Sequence, residues 1–263
     1  MFGPGGDIRI IGHRGARGMA PENTLPAILH GVEVGVQAVE IDLHASSDGE
    51  IVVIHDPTLD RTTDGAGRVD GHTLAELREL DAGYRFTPDG GATFPFRGAG
   101  IRIPTLDEAV DAMGGLPAIL EVKSAAAGRL LAEWLPGRPE RDRLIVGGFD
   151  SREVGPAAEA ARWRCAYQTD LRGFVLWGKL GISRRLPDDL TAAMVPVRKG
   201  ALRIVTRSFV RRMHAQGKGV FVWTVNRPDE MRHLFDIGVD GLISDYPAVL
   251  RRLVEERLAA SRE

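Results

Sequence analysis

The sequence has 263 residues, of which 43% are hydrophobic and 27% are charged, and its formal net charge is −2. This balance is typical of a folded globular protein and argues against an extensively disordered chain or a protein whose main partner is nucleic acid. Cys165, the only cysteine, excludes an intrachain disulfide and any zinc site that needs two or more cysteines.

No apolar run approaches the ~18 residues needed to span a bilayer. The first residues, MFGPGGDIRI, lack the basic region and apolar stretch of a signal peptide. We therefore expect a cytoplasmic location, without a transmembrane segment.

Short apolar runs rich in β-branched residues alternate along the chain with segments of helical periodicity. This alternation indicates βαβ units and predicts a parallel sheet covered by helices. The predicted strands are Ile8–Ile11, Ala38–Leu43, Ala118–Val122, Leu144–Val146, Cys165–Tyr167, Ala192–Val195, Val220–Val222 and Gly241–Ile243. The predicted helices are Thr24–Val34, Leu106–Met113, Ser124–Trp134, Arg152–Arg162, Ser208–Gln216, Pro228–Phe235 and Pro247–Leu258.

The number of strands and the chain length predict an α/β fold, namely a (β/α)8 TIM barrel formed by one domain over residues 1–263. A doubly wound open sheet is the alternative, and no helix is assigned over Gly173–Pro187. Residues 57–104 interrupt the alternation after the second strand region and contain one predicted helix, Thr73–Leu80, with Thr73 or Asp70 as its N-cap. We interpret this excursion as an insertion that covers one mouth of the barrel.

Charged side chains occur where buried strands should be apolar. Glu40 and Asp42 are two residues apart in AVEIDL, and Glu121 and Lys123 have the same spacing in AILEVKS. Because side chains in a strand repeat every two residues, each pair lies on one face. One interpretation is a salt-bridge network between neighbouring strands. The other is that Glu40, Asp42 and Glu121 bind a hard cation, Mg²⁺ or Ca²⁺, through oxygen ligands.

Two histidines stand where predicted strands end. His13 follows IRIIG, and His55 follows EIVVI after a predicted hairpin turn at Ser46–Glu50 that returns the chain towards the first carboxylate pair. Because imidazole titrates near neutral pH, one histidine can accept a proton while the other donates one. Such a pair suits the cleavage of a phosphodiester. The remaining histidines, including His44, are assigned to helices or loops and are interpreted as surface or packing residues.

The stretch HRGARG after the first strand is a glycine-rich turn but does not match the dinucleotide-binding motif GxGxxG. Its backbone N–H groups and Arg14 are candidates to hold a phosphate, with Lys123 as a second candidate. In the following PENT, Asn23 or Thr24 is a candidate helix N-cap, whereas Glu22 has no evident structural role. Trp223, in FVWTVN, is a candidate to pack on the apolar part of a ligand or to lie in the core.

Together these residues resemble the glycerophosphodiester phosphodiesterase family. The matching stretches are HRGARGMAPENT, EIDLHASSDGEIVVIHDPTLDRTTDGAG, PTLDEAV, LEVK, VWTVN and GVDGLISDYP, from His13 to Pro247. Their combination in this order is specific, whereas each stretch alone is not. The resemblance implies a TIM barrel with a small insertion and an enzyme that cleaves glycerophosphodiesters to glycerol 3-phosphate and an alcohol.

The resemblance also implies a role for each site residue. The implied acid–base pair is His13 and His55, and the implied ligands of one divalent cation are Glu40, Asp42 and Glu121. The implied phosphate-binding residues are Arg14 and Lys123, with support from Glu22 and its neighbour Asn23. One position departs from the pattern, because many members have Ser-Phe at the end of the fourth strand where this chain has Gly148-Phe149.

We therefore expect metal-dependent hydrolysis of a small-molecule glycerophosphodiester, with the substrate's own glycerol 2-hydroxyl or water as nucleophile. An alternative is phospholipase-like hydrolysis of lysophospholipids or phosphoinositides, which requires an apolar surface near the mouth. The insertion offers aromatic residues for such a surface, namely Tyr84, Phe86, Phe94 and Phe96. A further alternative, of a different class, is a non-catalytic barrel that binds phosphorylated polyols.

Overall fold

The computed structural model describes residues 2–178, 182 and 184–260, and strands alternate with helices through this part of the chain. The strands are β1 (Arg9–Gly12), β2 (Ala38–Ala45), β3 (Ile51–Val53), β4 (Ala118–Val122), β5 (Leu144–Gly147), β6 (Trp163–Cys165), β7 (Leu190–Pro196), β8 (Arg198–Lys199), β9 (Leu202–Arg203), β10 (Gly219–Trp223) and β11 (Gly241–Ser244). The helices are α1 (Leu25–Glu33), α2 (Leu74–Arg78), α3 (Leu106–Ala112), α4 (Ala125–Trp134), α5 (Ser151–Ala160), α6 (Gln168–Gly178), α7 (Arg207–His214), α8 (Pro228–Ile237) and α9 (Pro247–Ala260), with 3₁₀ turns at Val69–Gly71 and Pro139–Arg143. None of the described helices combines the length and the apolar character needed to cross a membrane.

Eight of the strands are parallel and form a closed ring. Their order around the ring is β1, β2, β4, β5, β6, β7, β10 and β11, and β1 pairs with both β11 and β2. β3 returns antiparallel to β2, and β8 and β9 form a separate hairpin. The closed ring confirms the (β/α)8 barrel and excludes the open sheet.

Alternate residues of each strand point into the ring and towards the helices, which is why the strands are apolar on both faces. In β1, Ile11 belongs to the inner apolar cluster, whereas Ile10 packs in the outer one. The inner cluster consists of Phe2, Ile11, Ala38, Ile119, Ile145, Cys165, Ala192, Phe221 and Ile243. Glu40 and Glu121 stand two residues after Ala38 and Ile119. They therefore continue the inner face towards the carboxyl ends of the strands.

The segment between β3 and α3 has a small apolar core of its own. This core includes Val52, Ile54, Leu59, Val69, Leu77, Ala82, Ile101 and Ile103. The hairpin turn that precedes it is closed by a hydrogen bond from the Ser46 N–H to the Glu50 carbonyl, as the sequence predicts. Helix α2 begins with a capping box between Thr73 and Glu76. Of the two predicted caps, Thr73 is therefore the one that the structure uses.

The structure differs from the predicted elements at one strand, β6, and at one helix that was not predicted, α6. Strand β6 begins and ends two residues earlier than predicted. Helix α6 begins before Gly173–Pro187, where no helix is predicted, and ends within it at Gly178. Gly173 weakens its helical pattern, but its apolar side packs on the barrel through Leu171, Phe174 and Val175. Residues 179–181 and 183 of that stretch lie outside the described part of the chain.

Candidate active site

Three carboxylates meet inside the barrel at the carboxyl ends of β2 and β4. Asp42 on β2 and Glu121 on β4 are partners in the strand register, and Glu40 stands two residues before Asp42. One ligand atom from each of the three lies within 4.8 Å of those of the other two. Glu40 and Asp42 are buried, and Glu121 is half-buried. The two-residue spacing in the sequence thus brings the three predicted ligands together.

The positive charges around these carboxylates leave Glu40 poorly compensated. The Lys123 ammonium contacts Asp42 at 3.0 Å and also bonds Glu121, so the salt-bridge interpretation describes part of the cluster. Burial and the neighbouring carboxylates of Asp42 and Glu121 nevertheless raise the pKa of Glu40 well above its ordinary value. A hard divalent cation among three carboxylate oxygens would relieve this repulsion. The donor set therefore fits a divalent cation such as Mg²⁺ or Ca²⁺.

The loop after β1 packs against the carboxylates through two residues in the left-handed region, Arg14 (φ 49°) and Asn23 (φ 58°). The Arg14 backbone N–H donates to Glu40 Oε2 at 2.9 Å. The Asn23 side chain donates to Asp42 Oδ2 at 2.8 Å and accepts from the Asp42 backbone N–H at 3.2 Å. Such strained conformations persist where surrounding contacts hold them. Asn23 thus fixes the Asp42 carboxylate, and the N-cap position of α1 falls to Thr24, whose side chain makes no capping bond.

Gly15 allows this loop to lie directly on α1. Its φ is 86°, and a Cβ at this position would stand 2.5 Å from the carbonyl carbon of Ala27. A side chain would therefore clash with backbone as well as strain the loop. Gly15 of HRGARG thus allows the loop to lie close to α1, and the loop holds Arg14 against β2.

His13 is buried and is held by an aspartate that follows β11. Its Nδ1 lies 2.5 Å from Asp245 Oδ1, and the Asn226 amide donates to Asp245 Oδ2 at 2.8 Å. Burial opposes the charged form of Asp245, but the contacts with His13 and Arg17 outweigh it and lower the pKa of this carboxyl. The carboxylate at Nδ1 leaves Nε2 for proton exchange. Nε2 lies 3.9 Å from Glu40 Oε2, beside the three carboxylates.

His55 has a similar arrangement on the hairpin side of the site. Its Nδ1 lies 2.6 Å from Asp56 Oδ1, and Arg61 Nε donates to the other oxygen of Asp56 at 2.6 Å. Arg61 also donates to both oxygens of Glu22, at 2.9 Å and 2.7 Å, and Glu22 accepts from the Arg14 guanidinium at 2.6 Å. Hydrogen bonds from Arg61, opposed by burial, bring the pKa of Asp56 to about 2. One chain of ion pairs therefore connects the insertion, His55 and the loop after β1.

The remaining predicted residues also lie around the carboxylates. The Arg14 guanidinium is buried between Glu22 and Asp42, with Nε 3.1 Å from Asp42 Oδ2. Trp223, at the end of β10, is half-buried and meets the Phe149 ring edge-to-face at 5.8 Å. It lines a cavity next to Glu121 and also packs against the inner apolar cluster.

Four polar residues near the site were missed by the sequence analysis. Asp56 is adjacent to His55, and Asp245 lies two residues after the predicted strand Gly241–Ile243, so both stand at strand ends as their partners do. Asn226 and Arg61 had no such signal, because their roles depend on contacts with residues distant in the chain. Arg61 lies within the insertion and reaches Glu22 across 39 positions of sequence.

The assignment of His44 to a helix or loop is wrong. His44 lies on β2 and is buried, because it continues the two-residue spacing of Glu40 and Asp42. Its Nε2 lies 3.2 Å from the His55 carbonyl oxygen. Burial lowers the pKa of its imidazole. His44 therefore supports the segment that carries His55.

The aromatic residues of the insertion pack within the insertion. Phe86 and Phe96 meet edge-to-face at 5.3 Å. The Arg97 guanidinium stacks on the rings of Tyr84 and Phe94 at 4.3 Å and 3.8 Å. None of these four aromatic residues lines the cavity next to Glu121. The apolar surface at the mouth is thus formed by other residues than those expected.

Comparison with known proteins agrees with this geometry. The model of the glycerophosphoryl diester phosphodiesterase family matches residues 13–249. A glycerophosphodiester phosphodiesterase from Caldanaerobacter subterraneus subsp. tengcongensis is 32% identical over 263 residues, which cover 94% of this chain and 98% of that protein.

Solved structures share the fold along almost the whole chain. The glycerophosphoryl diester phosphodiesterase domain of a Mycobacterium tuberculosis protein has a TM-score of 0.83 at 24% identity, covering 96% of this chain and 100% of that one. A phosphodiesterase from Oleispira antarctica, in complex with the product sn-glycerol-3-phosphate, has a TM-score of 0.76 at 27% identity, covering 95% of this chain and 97% of that one. The chain therefore belongs to the glycerophosphoryl diester phosphodiesterase family and is an enzyme that hydrolyses glycerophosphodiesters.

Proposed function

We propose that this enzyme cleaves glycerophosphodiesters to sn-glycerol 3-phosphate and an alcohol, with His13 and His55 as its acid–base pair and one divalent cation as its cofactor. The product is inferred from the likeness to the Oleispira antarctica phosphodiesterase. The pairing of each imidazole with an aspartate beside a three-carboxylate cluster is the observation that carries the proposal.

Glu40, Asp42 and Glu121 would hold the cation. When bound, a divalent cation offsets the negative charge of the phosphodiester and makes the phosphorus more electrophilic. Asn23 keeps the Asp42 carboxylate oriented, and the Arg14 backbone N–H does the same for Glu40. These contacts preorganise the oxygens before substrate binds.

The two histidines exchange protons with the reacting groups. One Nε2 takes the proton of the nucleophilic hydroxyl, and the other donates a proton to the departing alkoxide. Attack by water gives glycerol 3-phosphate directly. Attack by the glycerol 2-hydroxyl of the substrate gives a cyclic glycerol phosphate, which water then opens to glycerol 3-phosphate while the departing ring oxygen takes a proton. Asp245 and Asp56 each favour the tautomer with hydrogen on Nδ1 and stabilise the imidazolium that forms on one of the rings. The reaction needs no further proton donor.

Lys123 and Arg14 provide positive charge where the phosphoryl oxygens develop negative charge. Lys123 lies between the carboxylates and the Phe149 ring, with Nζ 5.5 Å from the ring centroid. The Arg14 guanidinium lies beside the Asp42 carboxylate and is held there by Glu22, which also accepts hydrogen bonds from Arg61. A candidate for each chemical role is present, which favours turnover over a non-catalytic phosphopolyol-binding barrel.

The test is product formation from glycerophosphocholine and glycerophosphoethanolamine after treatment of the protein with EDTA. We expect no turnover until Mg²⁺ or Ca²⁺ is added back, and then release of sn-glycerol 3-phosphate and the free alcohol. Full turnover in EDTA would contradict the cation. If folded protein released no product from either substrate with either metal, the proposed reaction would be contradicted.

A further inference from the structure

A cavity of about 560 Å³ begins at Glu121 and extends away from the carboxylates. Its inner wall consists of the carboxyl ends of β4 to β7 and β10, and its outer walls are α6 and the segment that contains β8 and β9. The volume lies in the range of ~300–1,000 Å³ that is usual for sites of small organic ligands. It therefore exceeds what a phosphate group and a glycerol alone require.

The inner wall of the cavity is mainly apolar. Cys165 is buried, with its sulfur 3.4 Å from the sulfur of Met194, and burial raises the pKa of its thiol. Leu171 and Val175 of α6 face this wall, and Leu202 of β9 completes the cavity. Gly148, which follows β5, also lines the cavity and contributes no side-chain hydroxyl. A polar alcohol would find few hydrogen-bond partners there.

The charges near the cavity disfavour a cationic occupant. Phe149 and Trp223 offer aromatic faces, but the Lys123 ammonium already lies 5.5 Å from the Phe149 ring. Arg172 and Lys199 also line the cavity. Glu121 is the one acidic lining residue in the described part of the chain, and it belongs to the carboxylate cluster. A quaternary ammonium would thus meet like charge, whereas a neutral alkyl chain would not.

The cavity opens to solvent at an apolar rim. Leu176 on α6 is 51% exposed and Phe149 is 52% exposed, and both line the cavity. Arg172 and Lys199 also line the cavity and are exposed. A chain attached to a substrate whose phosphate lies at Lys123 would therefore enter along apolar side chains.

We propose that the enzyme accepts monoacyl glycerophosphodiesters, that is lysophospholipids, and binds their acyl chain in this cavity. The inference rests on the proposed reaction and extends its substrate class. Water and 1-acylglycero-3-phosphocholine give 1-acylglycerol 3-phosphate and choline: the bond between phosphorus and the choline oxygen breaks, and the departing oxygen takes the proton. The acyl ester is not touched.

The test uses wild-type enzyme loaded with Mg²⁺ or Ca²⁺ and measures choline release. The substrates are glycerophosphocholine and lysophosphatidylcholines with hexanoyl, octanoyl and decanoyl chains, all below their micelle-forming concentrations. Burial of each added methylene corresponds to about a two- to fourfold gain in binding. We expect kcat/KM to rise at least tenfold from the hexanoyl to the decanoyl substrate.

Two variants locate the effect in the cavity. Leu176→Glu places a charge on the exposed part of its wall, and Leu202→Glu does so on the opposite side. Each is expected to lower the ratio of decanoyl to glycerophosphocholine kcat/KM at least tenfold. Leu29→Glu is the matched control, because Leu29 is 52% exposed on α1 and lies outside the cavity. We expect it to leave the ratio unchanged within twofold.

The outcomes separate this inference from the reaction on which it rests. Hydrolysis of glycerophosphocholine with a flat or falling acyl series overturns the cavity assignment and leaves the proposed reaction standing. A rising series supports the assignment, also where glycerophosphocholine itself is a poor substrate. No choline release from any of the four substrates overturns both.

Discussion

At each of the two histidines, an aspartate at Nδ1 determines the orientation of the ring. His13 and Asp245 are 232 positions apart in sequence, whereas His55 and Asp56 are neighbours. The same chemical arrangement is thus built once by barrel closure and once by local sequence. Sequence reasoning found both histidines from their places at strand ends, but it found neither aspartate.

Replacing either histidine with alanine should remove one half of the proton transfer. We expect kcat for His13→Ala and His55→Ala to fall by about 10²–10⁴-fold, the usual contribution of general acid–base catalysis. Steady-state kinetics on glycerophosphocholine measures the loss, and circular dichroism checks that the variants fold. His233→Ala, on the exposed side of α8, is the control. Turnover near that of the wild type in either variant would contradict the assignment.

Glu22 links charge balance to stability. Hydrogen bonds from Arg61 and the charges of Arg14 and Arg17 outweigh burial and lower its pKa from 4.5 to about 2. Because the pKa is lower in the folded state, the carboxylate stabilises the protein above about pH 4.5, and this contribution disappears as the pH falls towards 2. Glu22→Gln should therefore unfold more easily than the wild type at neutral pH.

Unfolding measurements over a range of pH test whether the Glu22 carboxylate stabilises the protein. Urea unfolding of wild type and Glu22→Gln between neutral pH and pH 2 should give a stability difference of order 1–3 kcal/mol that shrinks below about pH 4.5. A difference that stays constant over this range would show that the amide disturbs packing rather than charge.

At the scale of elements, the sequence predicted the barrel strands well because each is a short apolar run with a polar turn on either side. Helix α6 was not predicted, since its stability comes from Leu171, Phe174 and Val175 packing on the barrel rather than from local signals. The cavity was also beyond prediction, because its walls come from β4 to β7, β10 and α6, which the fold alone brings together. The insertion's aromatic residues were visible in sequence, but nothing local indicates that they pack with one another.

Helix α3 depends on a capping box that can be tested separately from the site. The Glu108 N–H donates to the Thr105 hydroxyl at 3.3 Å, and the Glu108 carboxylate accepts from the Thr105 N–H at 2.8 Å. Thr105→Ala should lower the free energy of unfolding by about 1 kcal/mol. Thr105→Ser, which keeps the hydroxyl, should lose much less, and kcat should not change in either variant. Equal losses in urea unfolding of the two variants would show that the hydroxyl is not the cause.

At the scale of the whole molecule, binding of the proposed cation to the three carboxylates would stabilise the folded barrel. Glu40 and Asp42 on β2 repel Glu121 on β4, so a cation that binds only the folded barrel stabilises it. A concentration 100 times the dissociation constant corresponds to about 2.7 kcal/mol. We expect Mg²⁺ or Ca²⁺ to raise Tm by several degrees without any substrate present.

A ligand variant identifies the source of that shift. Glu121→Gln should abolish the rise in Tm measured by differential scanning calorimetry, whereas Glu133→Gln, on the exposed side of α4, should retain it. A rise of the same size in Glu121→Gln would place the cation elsewhere.

The pairing of β1 with β11 has a consequence for how the enzyme matures. His13 follows the first barrel strand, but its partner Asp245 follows β11, which is made after the other seven strands of the ring. A nascent chain can therefore hold the three carboxylates and His55 long before both imidazoles are aligned. In the proposed mechanism, proton transfer by His13 requires the contact with Asp245, so a chain that stops short of β11 would lack a competent acid–base pair.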